Sequence, residues 1–376
     1  MATRRQFITQ ASSLIGLGLA SPLVFGSSRL SSWPGGETDS GLYLPDELHP
    51  HTRTLMSFGA QTSIWRDWTP AVQACLGLIA STIAQYEPVT ILCRDDELDL
   101  ARELCGTYNT RFIITELDDI WMRDISANFV IGAHGELGAV DFNFNGWGDK
   151  QEHESDAHVA RLVSNDAGAE YIRSALTGEG GGLEVDGQGT AILNESSWVN
   201  ANRNPGWSRR EIEDELKAVL GLKKIIWLPG IKGKDITDAH VDFYARFAKP
   251  GVVIANLDDD PSSYDYAVTR THLDILRNAT DANGRALEVH TLPPPERLRK
   301  NRFINGNDAF AAGYINYALV RGAVIAPEFG DSQADRYCRD LLQSLYPAHR
   351  IVQLNIDPIA AGGGGIHCVT HQQPQV

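Results

Sequence analysis

Apolar residues recur at two spacings along this chain, and the two spacings alternate. Val72, Leu76, Ile79 and Ile83 fall three or four apart, which predicts a helix over Ala71–Tyr86 with one apolar stripe. Pro88 then leads into Val89-Thr90-Ile91-Leu92-Cys93, a continuous apolar run that reads as a buried strand. A helix over Glu97–Leu104 and a strand over Arg111–Ile114 repeat the order. Further on, Ser208-Arg209-Arg210-Glu211 is a capping box, in which hydroxyl and carboxylate satisfy free amides at a helix start. Ile212, Leu216, Val219 and Leu220 follow at helical spacing, Gly221 supplies the stop, and Lys224–Leu228 is the next buried strand, ended by Pro229-Gly230. Gly251–Ala255 is another apolar run, and Tyr314–Val320 with Ala323–Ala326, joined by Arg321-Gly322, predicts a hairpin. Near the end, Ile366, Cys368 and Thr370 alternate with His367, Val369 and His371, which predicts a short strand with Cys368 at the mouth of the glycine run 362–365.

Strands with helices between them along the whole length argue for one α/β domain built from similar strand–helix units. The N-terminus stands apart. Arg4-Arg5, Phe7 and the apolar run from Ala11 to Phe25 resemble a twin-arginine export signal over residues 1–26, and a Ser-, Gly- and Pro-containing linker over 27–41 separates it from a folded part over 42–376. That pattern predicts a periplasmic or secreted protein. The apolar run is too short for a stable membrane anchor.

Composition changes this picture little, being 43% apolar and 22% charged, but the net charge of −15 argues against nucleic acid as a partner and suits a small cation. The five cysteines (75, 93, 105, 338, 368) have no CxxC spacing, so they indicate neither a zinc ribbon nor a disulfide framework. Cys75, Cys93 and Cys105 lie on or beside predicted elements and read as packing.

Four segments carry polar residues at predicted strands or strand ends: Trp121-Met122-Arg123-Asp124, Glu179-Gly180-Gly181-Gly182, Thr237–Asp242 and the stretch around Cys368. On an extended backbone His240 and Asp242 share a face. Such a pair serves as a base with its orienter, as a base beside a cation-binding acid, or only as a surface hydrogen bond. Glu179 has a plain turn acid as its alternative, Asp124 an ion pair with Arg123, and Cys368 a small buried hydrophobe.

Taken together and in order, WMRD (121–124), FNGWG (144–148), EGG (179–181), VDGQGT (185–190), NRNP (202–205), LGLKKIIWLPG (220–230), TDAHVD (237–242), YINYALVRGAVIAPEFGD (314–331) and GGGGIHCVT (362–370) resemble the agmatine deiminases and bacterial peptidyl-arginine deiminases, within the guanidino-group-modifying enzymes. The likeness runs from about Trp65 to Pro374. It implies a five-bladed α/β propeller with a central site that uses no metal or other cofactor. It also implies a small cationic guanidino substrate, Cys368 as nucleophile, His240 as acid and base, and Asp124, Asp242 and Glu179 as the acids that hold the guanidinium. Asn316 matches a polar position near the cysteine, and Trp121 is a candidate for packing on the substrate's alkyl chain or in the core. The sequence departs from the family pattern at Ile125-Ser126-Ala127 after WMRD, at Ala239 in place of glycine, and at Gly182 in place of asparagine. These changes border the pocket and leave the choice between agmatine, peptidyl arginine and another guanidino compound open. The oligomeric state is open too, a homo-oligomer included. Two readings from other classes compete. A metallohydrolase would use His367, Cys368, His371, His240 and Asp242, but on the predicted strand Cys368 faces away from both neighbouring histidines. An exported polyamine-binding protein would keep the acids but has no use for a nucleophile.

Overall fold

The computed structural model describes residues 41–376. The expected export signal lies outside the described residues, as does all but the last residue of the expected linker. Among the described residues the strands form five small sheets, four of three strands and one of four. The three-stranded sheets repeat one plan. Asn128–Ile131 pairs antiparallel with Leu137–Asp141, the helix Val159–Ala167 crosses back, and Glu170–Arg173 returns parallel. A parallel neighbour requires such a crossover, because a tight turn can only reverse the chain. Glu184–Val185, Thr190–Asn194 and Lys224–Leu228 follow the same plan around the helix Arg209–Leu220. Ala245–Lys249, Val252–Asn256 and Glu288–Leu292 do so around Tyr266–Asn278. Ala318–Val320, Ala323–Glu328 and Arg350–Asn355 do so around Ser332–Leu345.

The remaining sheet joins the two ends of the described chain. Thr370–Pro374 pairs antiparallel with His51–Ser57, the helix Thr69–Ile83 crosses over, and Val89–Cys93 lies parallel, with Thr110–Ile114 added outside. This sheet is therefore a fifth copy of the plan whose first strand comes from the far end of the chain. Five such blades make the α/β propeller that the resemblance implies.

Burial explains which strands the apolar runs marked. Val89–Cys93 is buried throughout and Ala323–Glu328 at five of its six positions, whereas Thr110–Ile114 and Arg350–Asn355 are half-covered at the outer edges. Apolar packing fills the space between blades: Ile192, Ile226, Val241, Phe247, Val253 and Leu276 form one such cluster. The capping box at Ser208 and Glu211 is present, and Gly221 ends that helix in the left-handed conformation. Cys75, Cys93, Cys105 and Cys338 are buried free thiols, and burial pushes Cys75 and Cys105 up to about 12.

Three local expectations fail. Ile366–Val369 is a turn, with the strand starting only at Thr370. The amide of Arg123 donates to the Cys368 carbonyl and that of His367 to Asn316, so this backbone bonds to loops from other blades and has no ladder partner. His240 and Asp242 do not lie on a strand either, because Val241–Phe243 is a 3₁₀ turn that His240 precedes. The hairpin strand also begins later than expected, at Ala318, leaving Asn316 in the turn before it.

Candidate active site

Each blade sends the segment just before its first strand to one common centre. Asp124 stands on the turn Met122–Ile125 ahead of Asn128–Ile131, and Glu179 leads the turn Gly180–Gly182 ahead of Glu184–Val185. His240 and Asp242 precede Ala245–Lys249, Asn316 precedes Ala318–Val320, and Cys368 precedes Thr370–Pro374. The five sites distant in sequence thus occupy equivalent places in the repeat.

Their side chains meet. The Cys368 thiol lies 3.6 Å from Asp242 Oδ2 and receives Asn316 Nδ2 at 3.3 Å. The same Asn316 nitrogen donates to Asp242 Oδ2 at 3.0 Å. His240 Nε2 is 3.0 Å from Glu179 Oε2, and its Nδ1 is 3.6 Å from Asp124 Oδ1. All are deeply covered, with Asp242 0%, Glu179 2%, His240 3%, Asp124 6% and Cys368 7% exposed. Asp242 Oδ1 is buried and has no hydrogen-bond partner, an expensive state that a bound donor would relieve.

The glycines permit this closeness. A Cβ on Gly181 would come within 2.6 Å of His240 Nδ1 and 2.8 Å of Asp124 Oδ1. In the run before Cys368, a Cβ on Gly362 would strike Trp65, one on Gly364 Trp121 and one on Gly365 Asn316, each at 2.4 Å or less, while Gly363 takes φ +88°. Trp121 is therefore a floor under the glycine turn: its indole donates to Asp119 at 2.9 Å and its ring tilts against Trp65. Of its two sequence readings, the packing one accounts for these contacts.

Three neighbours that the motifs contained, but to which the resemblance gave no role, complete the site. Trp147 of FNGWG donates its indole N–H to Asp124 Oδ2 at 2.9 Å. Arg203 of NRNP binds Glu179 at 2.9 Å and Asp238 at 2.6 Å, entirely buried. His367 places Nδ1 2.8 Å from Asp242 Oδ2. An arginine between two asparagines, or an aromatic between two glycines, was the available sequence signal. The departures also have local accounts. Gly182 faces Trp198, whose indole nitrogen would stand 3.0 Å from an added Cβ and instead donates to the Gly182 carbonyl at 2.7 Å. Ala239 holds φ +67°, a conformation that costs a non-glycine residue about 1–2 kcal/mol. Ile125 and Ala127 are buried in the core.

Electrostatics divide the acids. Burial raises Asp124, helped by Glu179 and Asp242 and opposed by His240. For Glu179 burial is outweighed by Arg203 and His240, and for Asp242 by His367, His240 and Arg246, so both are lowered. Burial would lower His240, yet Asp124, Glu179 and Asp242 together raise it to about 9, making it an imidazolium at neutral pH. Burial, then Asp242 and Asp124, push the Cys368 thiol well above its ordinary value, against weaker help from the Gly365 amide and Asn316. The centre thus sets a neutral thiol beside two acids, Glu179 and Asp242, whose ionised forms are favoured, a place that a planar cation would balance.

A thiol, an imidazole, a carboxamide and three acids, delivered by the five blades of an α/β propeller, make the centre that the resemblance to the guanidino-group-modifying enzymes implies. The pattern of the Porphyromonas-type peptidyl-arginine deiminase family matches residues 43–374, and the chain belongs to that family. It is 36% identical to the agmatine deiminase of Stutzerimonas stutzeri over 353 residues, which span 89% of this chain and 96% of that protein. The agmatine deiminase of Pseudomonas aeruginosa is 35% identical over the same shares. Among solved structures, the agmatine deiminase of Enterococcus faecalis superimposes with a TM-score of 0.84 at 29% identity, over 92% of this chain and all of that one.

Proposed function

We propose that this protein hydrolyses agmatine to N-carbamoylputrescine and ammonia, with Cys368 as a covalent nucleophile. The observation that carries the reading is the unpartnered Asp242 Oδ1, buried in the same pocket as the Cys368 thiol. Guanidinium N–H groups would bond Asp242 and Asp124, since a flat cation is held best by paired carboxylates. Its charge would draw the thiol proton off to solvent, because an adjacent cation lowers a thiol pKa. The thiolate then bonds to the central carbon, giving a tetrahedral adduct. His240 gives its proton to the departing nitrogen, the C–N bond breaks, and ammonia leaves a thiouronium on Cys368. His240, now neutral, takes a proton from the attacking water. Collapse of the second adduct forms the C=O bond as the C–S bond breaks and the hydroxyl proton passes to solvent, releasing the ureido product and the thiolate.

The near-complete covering of the reacting groups supports a slim alkylguanidine over a peptide, and the agmatine-acting relatives support the same choice. A panel of agmatine, arginine and peptides ending in arginine, scored for ammonia and ureido product, tests it. Agmatine should be turned over fastest, with Cys368→Ala inactive and chelators harmless; equal loss on chelation, or turnover by Cys368→Ala, would refute the mechanism. The residues 1–26 support a second proposal, export by a twin-arginine route. Replacing Arg4 and Arg5 by lysine should keep the protein in the cytoplasm on cell fractionation, and unchanged export would remove that idea.

A further inference from the structure

Behind the reacting groups lies a buried chain of charges that the hydrolysis does not call upon. Glu47 belongs to the segment before the first blade, where Tyr43 exchanges backbone hydrogen bonds with Ile131 and so runs the chain along the second blade. From there Glu47 reaches under the centre. Its Oε1 is 2.6 Å from His367 Nε2, and the other ring nitrogen of His367 is the one bonded to Asp242 Oδ2. Glu47 is itself clamped: Arg246 Nη2 lies 2.7 Å from Oε2 and Arg123 Nη2 3.2 Å from Oε1. Arg246 has a fully covered side chain that also meets Glu184 at 2.8 Å and donates to the Tyr317 carbonyl at 2.8 Å. Burial opposes ionisation of Glu47, but Arg246, His367 and Arg123 outweigh it and hold the carboxyl well below its ordinary range.

This arrangement fixes which oxygen of Asp242 is available. Oδ2 is taken by His367 and Asn316, and the Cys368 thiol also lies 3.6 Å from it. Oδ1 is left without a partner. A carboxylate free to turn about its last bond could present either oxygen, but one held by an imidazole that is itself held on its far side cannot. Each ring nitrogen faces a carboxylate oxygen, so hydrogen bonds to both take an N–H on each nitrogen of the ring. We propose that Glu47 and His367 are positioning residues: a relay from the N-terminal segment that locks Asp242 with Oδ1 aimed at the guanidinium. The proposal rests on the guanidino reading of the site, and it gives the residue preceding the nucleophile a task separate from the chemistry.

The relay can be tested in two independent ways. In the full chain labelled with ¹⁵N-histidine and free of substrate, His367, assigned by its loss in His367→Asn, should show two downfield ring N–H protons. Glu47→Gln should remove one and Asp242→Asn the other. A ring carrying a single N–H, or a spectrum untouched by Glu47→Gln, overturns the relay whether or not any guanidino compound is a substrate. Should Glu47→Gln fail to fold, the spectrum of the unaltered protein still decides. The second test measures agmatine binding by calorimetry in the Cys368→Ala background. Glu47→Gln should weaken binding about tenfold, and should cost nothing further once Asp242→Asn is present, because coupled residues are not additive. Equal costs in both backgrounds would mean that Glu47 only supports the fold and would overturn the proposal. Absence of agmatine binding by Cys368→Ala itself would count against the guanidino reading, and the imidazole spectrum would then judge the relay alone.

Discussion

His240 is the residue whose environment makes the sharpest claim about pH. Its folded value of about 9 lies above the 6.5 of an unfolded histidine, so the stability it contributes is complete below pH 6.5 and disappears as pH rises through 9. The difference is on the order of 3 kcal/mol. Unfolding of the protein followed from pH 6 to 9.5 should therefore lose stability more steeply than unfolding of His240→Gln. The same proton is the one given to the leaving nitrogen, so kcat/KM should fall on the alkaline side with an apparent pKa near 9; an alkaline limb starting near 7 would show that His240 is not the acid. At this scale the sequence was informative wherever a residue type is rare for chemical reasons. Cys368, His240, Asp242, Asp124 and Glu179 stood out as polar residues at predicted strands or strand ends, the resemblance supplied their roles and Asn316, and the fold brings all six together. Glu47 could not be, because an acid in a loop before the first strand carries no local sign of what it will touch across the molecule.

Elements were legible in proportion to how local their causes are. The helix Arg209–Leu220 is specified by its own cap, stripe and terminal glycine, all within a few residues of one another. Ser208→Ala should accordingly remove about 1 kcal/mol of stability. A lowered denaturant midpoint with an unchanged slope, and unchanged turnover, would be the signature; a change in turnover would mean that this helix bears on the centre. The buried strands were equally readable, Val89–Cys93 and Lys224–Leu228 at their full extents, since short runs rich in β-branched residues and bounded by Pro or Gly suit a sheet interior. The segments that build the site were the ones misread. Alternation around Cys368 and the His240–Asp242 pair suggested extended backbone, and both are turns. What bends them is non-local: the Arg123 amide on the Cys368 carbonyl, Asn316 on the Cys368 amide, and Gly181 making room for His240. Periodicity cannot register contacts between segments so far apart.

For the whole molecule, repetition of structure without repetition of sequence kept the blade number out of reach of pattern reading, and it came only from the resemblance. The reason is physical. Each blade needs an apolar hairpin, a covering helix and a returning strand, and many sequences meet that demand. The inward turns must differ, because each supplies another group to one centre. The sheet that joins Thr370–Pro374 to His51–Ser57 has one more consequence. Cys368 stands two residues before that closing strand, so a chain in which Thr370–Pro374 came away from His51–Ser57 would lose the seam of the propeller and the anchorage of the sulfur together.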